Sequence, residues 1–183
     1  MNTNEISAIT VGLLNLNIGN FEEVYELTPL IVGLLNRTAT VADVLQDNVN
    51  VVYSPEGMIP LMYAVRSDET ELAQQIAGKS TQSLIYRNIN DGKTALMYAI
   101  ERNFDDMVEM LLVEDSSLGL NMVNLANDLD SGKTPLMYTL TLDNEACVNM
   151  IELLVSHGAD TSARNEQNRN LYQEAQNFGN IDE

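Results

Sequence analysis

The sequence predicts an all-α fold: a helix-turn-helix solenoid whose helix pairs are joined by short β-turn and hairpin loops. Three observations carry this. The tripeptide Leu-Met-Tyr occurs at Leu61–Tyr63, Leu96–Tyr98 and Leu136–Tyr138, each time four residues after a glycine. Those glycines, Gly57, Gly92 and Gly132, stand 35 and then 40 residues apart. Behind each copy lies an apolar stripe at helical three-and-four spacing. Self-similarity at such a period marks one supersecondary unit stacked on copies of itself. At 183 residues the chain fits a single array over 1–183 with a core of useful size.

Each copy opens on a turn: Pro55-Glu56-Gly57, Asn90-Asp91-Gly92, Asp130-Ser131-Gly132. Asp, Asn or Ser beside Gly suits a tight turn, because Gly adopts positive φ without steric cost. Thr94 and Thr134 follow, each placed to cap the next helix by accepting from its free N–H groups. Pro135 fits a first helical turn. The first helices are expected over Leu96–Arg102 and Leu136–Leu142, with small Ala99 and Thr139 allowing close approach of a neighbour. The second helices carry the stripes: Leu72, Ala73, Ile76 and Ala77, ending at Gly78; then Phe104, Met107, Val108, Leu111 and Leu112. The last stripe is Cys147, Val148, Ile151, Leu154 and Val155, closed by His157-Gly158. Asp105, Asp106 and Glu109 lie on the opposite side of the middle second helix, the first two where they suit the positive end of its dipole.

Turn, short helix, turn, amphipathic helix and return loop at this period resemble an ankyrin repeat. The resemblance is carried by Asp91-Gly92-Lys-Thr94-Ala-Leu96-Met-Tyr-Ala99 with Asn103-Phe104 and Leu111-Leu112 behind it. It is strongest in Gly132-Lys-Thr134-Pro135-Leu136 with Leu153-Leu154-Val-Ser-His157-Gly158-Ala159-Asp160. The repeats then fall at 54–88, 89–128 (with an extended loop) and 129–163. Residues 1–53 resemble the family poorly and are expected to form a divergent capping unit, atypical because one face meets water. There Ile18-Gly-Asn-Phe21 looks like a junction between helices over 4–17 and 21–35, with a further helical turn at Thr40–Asp47. At the other end, Asn165–Asn170 repeats the turn frame without glycine, and Leu171–Phe178 is expected as the first helix of a capping half-repeat within 164–183.

The chain departs from the family pattern in three places. Met62, Met97 and Met137 stand where the family usually has His, so packing replaces that residue's hydrogen bond between repeats. About three extra residues between Thr139 and Ile151 predict longer helices in the last full repeat. The Glu114–Leu129 loop holds Leu118, Leu120, Met122, Val123 and Leu125, which either pack on the array or contact a partner, with packing preferred.

Composition bounds the function. Nine Lys and Arg against 27 Asp and Glu give a net charge of −18. Phosphate backbones and anionic bilayers repel such a chain, so neither nucleic acid nor membrane is an expected partner, save by mimicry of DNA. The acid serves either solubility or attraction to a basic protein. Cys147 is the sole cysteine, which excludes an internal disulfide and a thiolate metal cluster. Inside an apolar stripe it reads as an inert buried thiol. The single histidine, His157, fits a helix C-terminus better than a metal or acid–base site. Asn127-Asp128-Leu-Asp130-Ser-Gly132 resembles a calcium loop but places its glycine one position early and lacks the closing Glu. Gly92-Lys93-Thr94 and Gly132-Lys133-Thr134 lack the glycine-rich approach of a phosphate loop. No catalytic residue, metal or cofactor is therefore expected. The N-terminus has no basic segment ahead of its apolar stretch, and a cytoplasmic location is expected.

The family resemblance implies a non-catalytic protein-binding module acting through its concave face and hairpin tips. Carried onto this chain, the contact positions are Glu56, Met58, Arg66 and Ser67, then Asn90, Asp91, Lys93, Glu101 and Arg102, then Asp130, Ser131, Lys133, Thr141 and Leu142. The plain alternative is that they are ordinary solvated residues. The aligned Tyr63, Tyr98 and Tyr138 fit a structural role between repeats better than a recognition stripe, their hydroxyls reaching a polar edge. The expected protein is a monomer when free that binds a basic partner, possible roles being inhibitor or immunity-type protein. A host-directed effector or scaffold tethering several proteins is the alternative.

Overall fold

The structure, a computed structural model, describes residues 22–53 and 55–177. Among these residues are four stacked α-helix pairs and one further α-helix. The first helices are α1 (Pro29–Asn36), α3 (Pro60–Arg66), α5 (Ala95–Glu101) and α7 (Pro135–Tyr138). Their second helices are α2 (Val41–Gln46), α4 (Thr70–Lys79), α6 (Asp105–Leu118) and α8 (Asn144–Ser156). Helix α9 (Leu171–Asn177) stacks on α7 as the start of a fifth pair. First helices pack on first helices and second on second along the array.

The N-terminal region departs from expectation. Residues 21–35, read as one second helix, instead begin with strand β1 (Glu22–Val24), and α1 then takes a first-helix place. Thr28-Pro29-Leu30 heads α1 as Thr134-Pro135-Leu136 heads α7, and Thr28 Oγ1 accepts from the Ile31 amide at 3.3 Å. The helix expected over 4–17 lies outside the described residues. Strand β1 pairs in parallel with β2 (Val51–Tyr53), the opening limb of the next hairpin.

First helices lie between the hairpins and the second helices, so they are apolar nearly all round. Every residue from Pro60 to Val65 is buried. Met62, Met97 and Met137 are all buried, as packing in place of the family histidine requires. Thr94 caps α5 as expected, accepting from the Met97 amide. Thr134 does not cap α7, and its hydroxyl is buried without a partner.

The extra residues of the last full repeat do not lengthen its first helix, and they leave its second helix longer than α4, which has 10 residues. Helix α7 stops after four residues and tightens into a 3-10 turn at Thr139–Thr141, while α8, with 13 residues, is shorter than α6 with 14. Residues 114–118, expected as loop, are the last turns of α6, which closes on left-handed Gly119. Beyond it Met122 and Val123 are buried, whereas Leu118 is exposed. Buried Asp115 holds this return, accepting from the Met122 amide at 2.9 Å. Gly78 does not stop its helix, which runs on to Lys79. Lys79 Nζ in turn donates to the free carbonyls of Val44, Leu45 and Asp47 at the end of α2, tying one pair to the next. His157 ends α8 as expected, its ring lying 3.0 Å from the Leu153 carbonyl.

Candidate protein-binding face

Four hairpin fingers project beside the first helices. Antiparallel bridges close the first (Tyr53 with Met58) and third (Asn127 with Lys133). In the second, Asn88 donates to the Lys93 carbonyl at 2.9 Å, and in the fourth Asn165 donates to that of Arg169 at 3.0 Å. Each of the last three fingers starts at a buried asparagine: Asn88, Asn127 and Asn165. Its side-chain oxygen accepts from amides of its own turn, as in Asn90 to Asn88 at 2.8 Å and Leu129 to Asn127 at 2.9 Å. Its side-chain nitrogen reaches the following helix: Asn88 to Tyr98 Oη at 2.7 Å, Asn127 to Tyr138 Oη at 2.8 Å, and Asn165 to Glu174 Oε2 at 3.0 Å.

The repeated tyrosine completes a bracket between finger and helix. Tyr98 Oη donates to Asp91 at 2.7 Å, Tyr138 Oη to Asp130 at 2.9 Å, and Tyr63 Oη to Glu56 at 3.0 Å. Burial pushes all three phenols above their ordinary range, and for Tyr63 and Tyr98 the bonded carboxylate adds to it. For Tyr138, Asn127 opposes the shift and Asp130 supports it. The tyrosines are thus structural, with their polar ends satisfied, as their regular recurrence suggested.

Fingers are also joined to one another. Asn90 Nδ2 donates to the Pro55 carbonyl, Asn127 Nδ2 to that of Asp91, and the Glu166 amide to that of Ser131. Arg87 reaches Asp128 at 2.6 Å. The glycines make room for this ladder. Gly92 has φ of +74°, and a Cβ there would collide with Asn127 of the next finger. Gly57 stands in the same relation to Asn88. In the fourth finger Asn168 takes the left-handed conformation that glycine takes elsewhere.

The fourteen candidate contact residues lie along this side of the array. Glu56, Arg66, Asn90, Arg102 and Thr141 are exposed; Ser67, Asp91, Lys93, Glu101, Asp130, Ser131, Lys133 and Leu142 are half-buried. Met58 is only 2% exposed, tucked beside Arg66, so the expectation that it presents a side chain to a partner is corrected. Several charges are matched locally: Arg66 with Glu56 at 3.2 Å, Lys93 with Glu101 at 2.8 Å, Lys133 with Asp130 at 3.1 Å. Lys93 Nζ also lies 5.6 Å and 5.8 Å from the ring centres of Tyr98 and Tyr138. The set contains four acids (Glu56, Asp91, Glu101, Asp130) and four cations (Arg66, Lys93, Arg102, Lys133), so it carries none of the −18. The surplus acid lies elsewhere, notably at exposed Glu71, Asp105, Asp106, Glu109, Glu145 and Glu152 on the second helices.

A family model described as ankyrin repeats (three copies) matches residues 7–122 and, overlapping, 77–165. The chain belongs to the ankyrin repeat family. Members of that family are generally protein–protein interaction modules and typically non-catalytic. No curated protein matches the chain. Among the described residues, no helix is long and apolar enough to cross a membrane, and no group of three His, Cys, Asp or Glu is placed to hold a metal ion.

The asparagine and tyrosine brackets were only half legible beforehand. The tyrosines announced themselves by recurrence. Asn127 looked like part of a failed calcium loop, although an asparagine four or five residues ahead of Gly92 and Gly132 was there to be seen.

Proposed function

We propose that this ankyrin repeat protein is a non-catalytic binder that holds one partner protein against its fingers and the exposed ends of its first helices. The observation that carries this reading is the braced ladder of fingers. It presents exposed Glu56, Asn90 and half-buried Ser131 from successive repeats on backbone already tied to the neighbouring finger. A surface ordered before contact loses little conformational entropy on binding. The partner is a basic protein, and the role is that of a stoichiometric inhibitor or immunity-type blocker. Attraction by the −18 acts at long range and speeds encounter, because the contact face is itself charge-balanced.

Affinity capture from lysate of the cells that express the chain, at low and high salt, tests this. The wild-type chain is expected to retain a single basic protein at low salt, with recovery reduced at high salt. The double variant Asn90→Arg/Thr141→Arg adds bulk and like charge to the face and is expected to lose it. Capture of several unrelated proteins insensitive to salt would replace the blocker with a scaffold. Undiminished capture by the double variant would move the contact off the finger face.

A further inference from the structure

The last helix pair leaves an apolar surface uncovered. The sequence places Val148 and Val155 in the core stripe of α8, yet they are 53% and 41% exposed; of that stripe Leu154 is buried, together with Met150 from outside it. Between α8 and α9 runs an open groove of about 360 Å³, lined by Leu142, Cys147, Val148, Ile151, Leu171 and Tyr172 among others. Tyr172 is 59% exposed there. Cys147, expected to be buried, is only half so.

Repetition shows what shape fits this place. Helix α4 packs on α2, α6 on α4 and α8 on α6, so the outer side of each second helix takes the next amphipathic helix. Helix α9 is a first helix, and among the described residues no second helix follows it to cover α8. The α8 side of the rim is acidic. Residues 134–163 contain Asp143, Glu145, Glu152 and Asp160 and no Lys or Arg. Glu145 and Glu152 lie one helical turn on either side of Val148. A second copy of a chain carrying −18 would bring like charge to that rim.

We propose that the α8–α9 groove is a second docking site, which takes an amphipathic helix of another protein whose apolar stripe is flanked by Lys and Arg. The site lies at the end of the array and shares only Leu142 with the fourteen candidate contact residues of the finger face, so variants at Asn90 and at Val148 tell the two apart. The geometry makes the groove a continuation of the solenoid, completed by a helix supplied in trans. Apolar contact with Val148 and Tyr172 holds the helix, and the acidic rim sets its orientation.

The probe is a fluorescent synthetic helix of about 18 residues, leucines at i, i+3, i+4 and i+7 and lysines beside them. Its anisotropy is titrated with the full chain, alongside a peptide with glutamates in place of the lysines. Binding of the lysine peptide alone is expected, weakened about tenfold or more by Val148→Asn and separately by Glu145→Gln/Glu152→Gln. The peptide is also expected to slow alkylation of Cys147, while Asn90→Arg, far from the groove, changes neither readout. No binding by the lysine peptide, or equal binding by the Val148→Asn chain, overturns the proposal. So does a wild-type dimer in sedimentation that Val148→Asn dissociates, since a second copy then fills the groove. A rise in peptide affinity on Phe178→Ser/Ile181→Ser would assign the groove to the chain's own last residues and overturn it likewise.

Discussion

Thr94 and Thr134 occupy the same place in successive repeats and have opposite energetics. The Thr94 hydroxyl caps α5, whereas the Thr134 hydroxyl is buried with no partner. A buried unpaired hydroxyl costs about 1–3 kcal/mol, and a lost N-cap about 1 kcal/mol. Thr134→Val is therefore expected to leave stability unchanged or raise it, and Thr94→Val to lower it by about 1 kcal/mol, both read from urea unfolding. The bracketing tyrosines give a second prediction. A phenol whose folded pKa is raised contributes stability that is complete below its unfolded value of about 10 and is lost as pH rises through the folded value. Tyr63, Tyr86, Tyr98 and Tyr138 are all shifted upward, chiefly by burial. Absorbance titration is expected to show these four ionising together with alkaline unfolding. Separate, early ionisation of the same four would contradict the bracket. Thr134 was read as a cap because its sequence frame matches that of Thr94. The difference lies in helix geometry, since α7 is four residues long and leaves its threonine unbonded.

At the scale of elements, α9 depends on one buried carboxylate. Glu174 is 4% exposed and accepts from Arg169 Nε at 2.6 Å and from Asn165 Nδ2 at 3.0 Å. The Arg169 hydrogen bond and charge, with Asn165, hold its carboxyl below the ordinary range against the opposing effect of burial. A depressed folded pKa contributes stability that is present above the unfolded value and is lost as pH falls through the folded one. Glu174→Gln is expected to cost about 1–3 kcal/mol near neutral pH, a difference that shrinks on acidification below about pH 4. Urea titrations at pH 7 and pH 3 check both statements; a gap of constant size would contradict them. The elements themselves were unevenly legible. Helices α3 to α6 and α9 were visible because a recurring turn frame heads each pair and apolar stripes lie behind α3 and α5, with a capping threonine at α5. Helix α1 was misassigned because no Asn-Gly or Asp-Gly turn precedes Thr28, and its run of Leu, Ile and Val reads as a second helix. In the α8 stripe Leu154 is buried as expected, whereas Val148 and Val155 are exposed, because sequence periodicity marks the apolar side of a helix but not whether a neighbour covers it.

Across the whole molecule, charge and contact are separated. The finger face is balanced, and the −18 is carried by the rest of the chain, including the exposed sides of the second helices. Salt therefore acts in two directions. Screening relieves self-repulsion within the array, so the melting temperature is expected to rise by about 2–5 °C between low salt and about 0.5 M. The same screening weakens attraction to a basic partner. A melting temperature that falls with salt would place more of the stability in ion pairs such as Lys93–Glu101. The order of the three central pairs was readable from three copies of one tripeptide, whereas the N-terminal pair, which lacks that tripeptide, and the end of the array were not, because the last stripe looks like any other. The central claim is that a partner seats on the fingers, and hydrogen–deuterium exchange of the chain with and without its captured partner tests it most directly. The account predicts added protection in residues 55–58, 88–93 and 127–133 and at the ends of α3 and α5, with the outer sides of α4 and α6 unchanged. Protection confined to the second helices, with the fingers unaltered, would contradict it.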